Sequence, residues 1–255
     1  AQNEEKVNEW LHSKKQNLKL PVYTSSDLRN SGLKLAAIDT NLFPAGWNNL
    51  CPSYQKLASK HFKEYFEREL GETHCILIVT EEHTRNTFYF SNIKALVNIL
   101  EDAGFKVFVG NPLEALKETT VFETADGESL KVHPLENRDG YIYAGGEKVC
   151  CILMNNDFSD GIPEKLREIK QPVVPNPEFG WHKRRKSIHF EKYNELIDEF
   201  AGIVGFDGSL LKADFEVLEN IDINSEGDRE KMAEKVDLLL SKMDIDDPTV
   251  FIKNN

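Results

Sequence analysis

The sequence Cys75-Ile76-Leu77-Ile78-Val79 is an unbroken apolar run. Such a run is typical of a strand that is buried on both faces, as in a parallel sheet covered by helices. Residues 53–70 and 88–103 have apolar side chains at three- and four-residue spacing, which predicts amphipathic helices on either side of this strand. The alternation of short apolar strands with amphipathic helices predicts an α/β fold with a parallel-core sheet.

Similar patterns of apolar residues predict the other elements along the chain. Apolar runs predict further strands at 33–38, 105–109 and 149–154, and a final one at 249–253. Residues 119–135 flank the turn residues Asp126-Gly127, which predicts an inserted antiparallel hairpin. The remaining predicted elements are surface helices at 4–16, 187–205 and 226–243, a short helix at 162–169 and an extended segment at 172–175. The pattern is weakest at 205–225, so we predict two domains, 1–205 and 206–255.

Composition restricts the classes of function. The 255-residue chain has a formal net charge of −12, which argues against a general nucleic-acid binder. No apolar run approaches the roughly 18 residues of a membrane span, and residues 1–5 have no signal-peptide character. We therefore expect a cytoplasmic protein with small-molecule or protein partners.

The four cysteines form no C-x-x-C pair, and we expect buried free thiols rather than disulfides. Cys150 and Cys151 are adjacent in an apolar run, so they should point to opposite faces of a strand. No H-x-x-x-H or C-x-x-C spacing indicates a metal site.

Polar residues gather where predicted strands end. If the strands are parallel, these loops meet at one edge of the sheet, where ligands of α/β proteins bind. The candidate ligand-binding residues are Asp39, Asn41, Asn48, Asn49, Glu82, His83, Arg85, Asn86, Asn155, Asn156, Asp157, Trp181, His182, Arg184 and Arg185.

The chemistry of these residues suits an amino acid, a peptide-like ligand or a nucleotide. The arginines offer planar forks for carboxylates or phosphates. The acids can hold an amino group or a metal, and the amides both donate and accept hydrogen bonds. Arg184 and Arg185 precede a helix N-terminus, whose partial positive charge is unfavourable for cations. The two side chains are therefore either repelled by this end of the helix or recruit an anion.

Structural alternatives remain open for each feature. Asp39 and the nearby amides can cap a turn through their own backbone. The basic run at 183–186 can be a solvated charge cluster, and His83 and His182 can be ordinary loop histidines. No G-x-G-x-x-G, P-loop or G-x-S-x-G motif is present, so a nucleotide would bind by another route.

Four motifs resemble the proteobacterial-type glutamate–cysteine ligases (gamma-glutamylcysteine synthetases) with an ATP-grasp-like architecture. They are D-T-N-L-F-P-A-G-W-N-N-L at 39–50, E-H-T-R-N at 82–86, N-N-D at 155–157 and G-W-H-K-R-R-K-S-I-H-F at 180–190. The resemblance covers most of residues 20–253 and implies a Rossmann-like pre-ATP-grasp domain followed by the start of an ATP-grasp unit. In that family a glycine-rich phosphate lid and metal-binding carboxylates follow, and we expect them beyond Asn255.

The resemblance implies that ATP, with Mg²⁺ bridging its phosphates, activates glutamate as a gamma-glutamyl phosphate that the amine of cysteine attacks. It also implies that Lys253, at a strand end, meets the ATP phosphates. No residue is assigned a catalytic role, no metal ligand is assigned, and neither the amine acceptor nor the oligomeric state is identified. The alternative is a non-catalytic binding protein that retains only the pre-ATP-grasp domain.

Overall fold

The computed structural model describes residues 3–81, 86–243, 250 and 252. In this part of the chain the α-helices are α1 (Glu4–Lys15), α2 (Pro52–Leu70), α3 (Thr87–Asp102), α4 (Lys186–Val204) and α5 (Glu226–Ser241). The strands are β1 (Ser25–Asn30), β2 (Leu35–Asn41), β3 (Cys75–Thr80), β4 (Lys106–Asn111), β5 (Thr120–Glu123), β6 (Ser129–Arg138), β7 (Tyr141–Ala144), β8 (Glu147–Lys148), β9 (Cys151–Asn155) and β10 (Val173–Val174).

The chain divides into two compact units. The first unit comprises Ala1–Leu18, Ser26–Thr40 and Arg185–Asn255, and the second comprises Lys19–Ser25 and Asn41–Arg184. The domain boundary predicted at 205/206 stays a prediction.

The second unit is built on an eight-stranded sheet with the order β10-β9-β3-β4-β6-β7-β8, and β5 pairs with β6 at one side. The pairs from β10 to β6 are parallel, whereas β5–β6, β6–β7 and β7–β8 are antiparallel. The predicted mixed α/β fold with a mostly parallel sheet is therefore confirmed.

The two faces of the central strands enter different parts of the core because successive side chains of a strand alternate in direction. Ile76 and Ile78 of β3 pack with aromatic and aliphatic side chains of α2 and α3, such as Phe66 and Leu96. Leu77 and its neighbours on the other face pack with side chains that include Phe43, Ile142, Phe158 and Leu166. All six residues of β3 are buried, as its unbroken apolar run requires.

The hairpin around Asp126-Gly127 is also confirmed. Glu123 of β5 pairs with Ser129 of β6, and Gly127 adopts a positive φ of 81° in the turn between them. The predicted helix at 162–169 is wrong in extent, because only Glu164–Leu166 forms a 3-10 helix. Pro163 at its start and Glu168 with a φ of 53° flank this single turn.

The first unit corrects the prediction for 33–38. This segment was expected to be a strand of the parallel sheet, but β2 pairs with β1 in a separate two-stranded sheet. Four residues link the two strands, too few for a parallel crossover. Leu33 and Leu35 are exposed, so this strand is not buried on both faces as a central parallel strand would be.

Helix α4 organises the rest of the first unit. The Tyr193 hydroxyl accepts from the Ala37 backbone N–H at 3.3 Å and donates to the Leu211 carbonyl at 2.8 Å. Trp10 of α1 packs on Phe200, with ring centroids 4.9 Å apart. Most of the strand predicted at 249–253 lies outside the described residues.

The cysteines correct a second expectation. Cys75 and Cys150 form a disulfide, so the prediction of free thiols is wrong for this pair. Their strands lie side by side in the sheet, a proximity that spacing along the chain does not reveal. Cys51 and Cys151 are free, the first exposed and the second buried. Cys150 and Cys151 enter opposite core clusters, as predicted.

Across the described residues, every helix is too short or too polar to cross a bilayer.

Candidate functional site

The carboxyl ends of β3, β4 and β9 lie side by side in the second unit. Thr80 is in register with Asn155, and Val79 is in register with Gly110. The segments that follow β3 and β9 therefore start from neighbouring positions. We call this side of the sheet the carboxyl edge. Asp39 belongs to the first unit, and Glu82, His83 and Arg85 lie outside the described residues, so the convergence of all the predicted segments on one ligand site stays a prediction.

A network of buried side-chain amides holds this edge together. Asn111 Nδ2 donates to Thr80 Oγ1 at 3.0 Å and to the Glu81 carbonyl at 2.8 Å. Asn156 Nδ2 donates to the Thr80 carbonyl at 3.1 Å, while its Oδ1 accepts from the Phe158 N–H at 2.8 Å. Asn155 Nδ2 donates to the Pro44 carbonyl at 2.9 Å. These amides satisfy buried backbone groups and fix the loops in place.

Two buried tyrosines support the same edge. The Tyr23 hydroxyl donates to the Met154 carbonyl. The Tyr89 hydroxyl donates to the Asn155 carbonyl at 3.1 Å and accepts from the Glu81 N–H at 2.9 Å. Burial raises the pKa of both phenols, so both remain neutral hydrogen-bond donors.

The segment 41–49 forms a loop that contacts Asn155 through the Pro44 carbonyl. Asn41 Oδ1 accepts from the Phe43 N–H at 2.8 Å, which is the turn-capping role considered as an alternative. Trp47 Nε1 donates to the Pro44 carbonyl at 3.1 Å. Asn48 and Asn49 lie exposed on the 3-10 helix Trp47–Asn49, where their amides face solvent.

Asn92 of α3 also contacts this loop. Its Oδ1 accepts from the Trp47 N–H at 2.9 Å, but its Nδ2 is buried and has no hydrogen-bond partner among the residues that the structure describes. A buried donor without a partner is uncommon and often marks a place where a water or ligand atom binds.

The segments 155–158 and 180–184 form the other side of the edge. Asp157 Oδ1 accepts from the Ser159 N–H at 3.0 Å and from its hydroxyl at 2.8 Å, and the Asp157 carbonyl accepts from the Trp181 N–H at 2.8 Å. His182 Nδ1 donates to the Phe158 carbonyl at 3.1 Å, which leaves Nε2 to accept. A Cβ at Gly180 would lie only 2.7 Å from the Asp157 carbonyl, so the two segments approach closely because residue 180 is glycine.

Arg184 stacks on Trp181, with the guanidinium carbon 4.4 Å from the ring centroid. Stacking of this kind orients the guanidinium plane. The arrangement suits bidentate recognition of a carboxylate or a phosphate.

Asp39 and Arg185 belong to the first unit. Lys186 Nζ lies 2.8 Å from Asp39 Oδ2, and both side chains are less than one third exposed. The Asp39 carboxylate therefore already has a cationic partner from the basic run. Arg185 is the N-cap residue of α4 and is exposed.

Several predicted residues lie outside the described part of the chain or serve locally. Glu82, His83, Arg85 and Lys253 are not among the described residues. Asn86 is exposed and caps α3, because its Oδ1 accepts from the Tyr89 N–H at 3.2 Å.

Sequence reasoning missed the residues that support the edge from within: Tyr23, Thr80, Tyr89, Asn92 and Asn111. Thr80 and Asn111 end apolar strands, the same signal that pointed to Asn155, so they could have been found. Tyr23, Tyr89 and Asn92 carry no such signal, because only tertiary packing brings them to the edge.

The described residues of the carboxyl edge form no group that could hold a metal ion. Within residues 3–81 and 86–243, the one group of three histidine, cysteine or acidic side chains close enough to hold an ion is His74, Cys75 and Cys150, which lies at the opposite end of β3. Carboxylate oxygens preferred by Mg²⁺ do not cluster among the described residues of the carboxyl edge. The available amides and the stacked guanidinium suit an organic ligand with carboxylate and amino groups.

Comparison with known proteins gives a consistent relationship. The sequence profile of the family described as "GshA: Glutamate-cysteine ligase" matches residues 1–255. Among solved structures, the crystal structure of a protein named "Putative gamma-glutamylcysteine synthetase" from Methylobacillus flagellatus KT matches with a TM-score of 0.88 and 38% sequence identity. The match covers 94% of this chain and 57% of that one, so this chain spans little more than half the length of its relative. No curated protein matches the chain.

Proposed function

The chain belongs to the glutamate–cysteine ligase family, and on this premise we propose that the protein joins the side-chain carboxylate of L-glutamate to the amine of L-cysteine. This is the first step of glutathione biosynthesis. The observation that carries the proposal is the family match along all 255 residues, together with 38% identity to a structure of that description. The comparisons give no support to the alternative of a non-catalytic binding protein.

The carboxyl edge of the second unit supplies the amino-acid side of this proposal. The guanidinium of Arg184, held on Trp181, is suited to the carboxylate of an amino-acid substrate. The exposed amides of Asn48 and Asn49 can orient its other polar groups. Among the other predicted residues, Glu82, His83, Arg85 and Asn86 follow the same strand, β3, and belong to this proposal on sequence grounds.

The buried amides are proposed as supports. Asn155 and Asn156 form hydrogen bonds with backbone groups of Pro44, Thr80 and Phe158, at or next to the loops that would carry the substrate contacts. Their contribution is to hold those loops in one geometry before the substrate arrives, which reduces the entropy cost of binding.

The cofactor proposal rests on the family. Ligases of this family are ATP-dependent, and we propose that ATP and Mg²⁺ serve this protein as well. The described residues offer no magnesium ligand set at the carboxyl edge, so no step through either group is derived from them. The division into a pre-ATP-grasp domain (1–205) and the start of an ATP-grasp unit (206–255), with Lys253 at the phosphates, belongs to the same proposal. We also propose that the protein is located in the cytoplasm.

The activity is tested on the full-length protein with glutamate, cysteine, ATP and Mg²⁺. We expect gamma-glutamylcysteine, identified by mass spectrometry, and one ADP for each dipeptide formed. Omission of either amino acid should abolish the dipeptide. If another amine is joined to glutamate with a higher kcat/KM than cysteine, the proposed acceptor is wrong. If no amine is joined, the proposed reaction class is wrong.

The role of Arg184 is tested with Arg184→Lys, which keeps the charge and loses the planar fork. We expect at least a tenfold rise in KM for glutamate, which corresponds to about 1.4 kcal/mol. Arg138→Lys is the matched control, because Arg138 also stacks on an aromatic ring at 4.4 Å but lies at the end of β6, where it donates to Glu136, and not in the segment 180–184. Equal KM values in both variants would assign Arg184 a structural role only.

A further inference from the structure

The amino ends of β3 and β9 carry a cluster that the ligase function does not use. Cys75 begins β3, and Cys150 directly precedes β9, its parallel neighbour. His74 lies immediately before β3. Its carbonyl accepts from the Lys106 N–H at 2.9 Å, which ties residue 74 to the adjacent strand β4. Three residues with metal-binding side chains therefore lie together at one end of the parallel strands.

The ligand atoms of this cluster are close together. His74 Nε2 lies 3.4 Å from Cys150 Sγ, and all three ligand atoms lie within 4.8 Å of one another. Tetrahedral Zn²⁺ with bonds of about 2.3 Å to sulfur and about 2.0 Å to nitrogen requires sulfur and nitrogen about 3.5 Å apart. The imidazole is therefore already at nearly the correct separation from one sulfur.

We propose that His74, Cys75 and Cys150, in their reduced form, bind a thiophilic divalent cation such as Zn²⁺. Two thiolates and one imidazole form a common zinc ligand set, and water completes the tetrahedron. The Cys150 backbone N–H donates to Cys75 Sγ at 3.0 Å, a contact that stabilises sulfur in the charged, metal-binding form.

The metal and the disulfide exclude each other. The structure pairs Cys75 with Cys150, so a reductant must act first. One dithiol molecule supplies two electrons and two protons, breaks the S–S bond and becomes a disulfide itself. Zn²⁺ then displaces the two thiol protons.

Binding of the metal requires the two sulfurs to separate to about 3.8 Å. The half-buried Cys150 and the exposed His74 have room to rotate, whereas Cys75 is buried.

The other cysteines are poor competitors. Cys151 is buried and belongs to the opposite face of the sheet, where burial raises the pKa of its thiol to about 12. Cys51 lies before α2, remote in sequence from the strand edge. The cluster is also separated from the carboxyl edge by the length of β3, about 17 Å. The bound ion would therefore stabilise or regulate the sheet without contacting the substrates.

The test uses full-length protein reduced with a phosphine and then freed of it under inert gas. Co²⁺ serves as the spectroscopic probe, because thiolate coordination produces an intense charge-transfer absorption. Zn²⁺ affinity is measured by competition with a chromophoric chelator. We expect one thiolate-bound Co²⁺ per chain, and at least a tenfold weaker Zn²⁺ affinity in His74→Ala and Cys150→Ser.

Two controls make the outcome decisive. Cys51→Ser should bind Co²⁺ and Zn²⁺ like the unmodified protein, since Cys51 is an exposed free thiol outside the cluster. Reoxidised protein should bind Zn²⁺ no more tightly than Cys150→Ser. The proposal is overturned if reduced protein shows no thiolate absorption, or if Cys51→Ser loses it while Cys150→Ser and His74→Ala retain it.

Discussion

Asparagine side chains at the carboxyl edge of the sheet perform two different tasks, and burial separates them. Asn155 is 2% exposed and Asn156 is 7% exposed, and both are bonded to backbone groups. Asn48 and Asn49 lie in the solvent-exposed part of the same edge. One residue type therefore supplies both the supports of the loops and the candidate contacts for a ligand.

This difference predicts distinct effects of truncation. Asn155→Ala should lower the free energy of unfolding by about 1 kcal/mol, because the buried Pro44 carbonyl loses one of its two donors and keeps only Trp47 Nε1. Asn48→Ala should leave stability within about 0.5 kcal/mol of the original, because the side chain is exposed. Urea denaturation measures both values. A loss of stability in Asn48→Ala equal to that in Asn155→Ala would contradict this assignment.

The ion pair of Asp39 and Lys186 allows a second comparison at the same scale. Lys186→Met should cost about 1 kcal/mol, the upper end for exposed pairs, because both partners are less than one third exposed. Lys192→Met is the matched control on the same helix. Its pair with Glu195 is about two thirds exposed, so we expect no measurable change in urea denaturation. Equal effects of the two substitutions would show that the burial of the Asp39 pair contributes nothing.

At the scale of elements, the helices follow local rules closely. Helix α2 begins with Pro52 in its first turn, where the missing N–H costs nothing, and Gly71 follows its last residue. Helix α4 ends at Gly205, whose φ of 79° is the left-handed conformation that glycine adopts without strain. These signals are local in sequence, so the limits predicted for α1 to α5 fell within two residues of those observed, unlike those of the short helix predicted at 162–169.

Two glycines of α4 and its cap should respond in opposite directions to the same substitution. Gly202 is exposed within the helix with open space around its Cα, so Gly202→Ala should stabilise the protein by about 1 kcal/mol. Gly205→Ala should destabilise it by about 1 kcal/mol, because alanine is strained at positive φ. Thermal unfolding of both variants provides the measurement, and a shift of the same sign in both would contradict the argument.

At the scale of the whole molecule, the chain covers 57% of the length of its structural relative. We expect the 255-residue chain on its own to show no ligase turnover and to bind ATP weakly or not at all. The full-length protein should bind Mg-ATP, and Lys253→Ala should weaken that binding. Calorimetry of ATP against the three proteins measures this. Tight binding by the 255-residue chain, or unchanged binding in Lys253→Ala, would place the nucleotide elsewhere.

The amino-acid sequence by itself determined the α/β class, the helices, the hairpin at 119–135 and the buried strands at 75–80 and 149–154. All of these depend on periodicity, caps and turn residues, which act between residues a few positions apart. It also identified the family through four motifs, and it indicated that polar segments meet where β3 and β9 end. The apolar runs of β3 and β9 carried that inference, because strands buried on both faces are typical of a parallel sheet. The meeting of all the predicted segments at one ligand site stays a prediction.

Tertiary structure alone decided which strands pair and which side chains remain available. It placed β2 in its own two-stranded sheet, joined Cys75 to Cys150 and directed the amides of Asn155 and Asn156 into the interior. Each outcome depends on contacts between residues far apart in sequence. The free energy of burying a polar group depends on the partner that it finds there, and a single sequence does not name that partner.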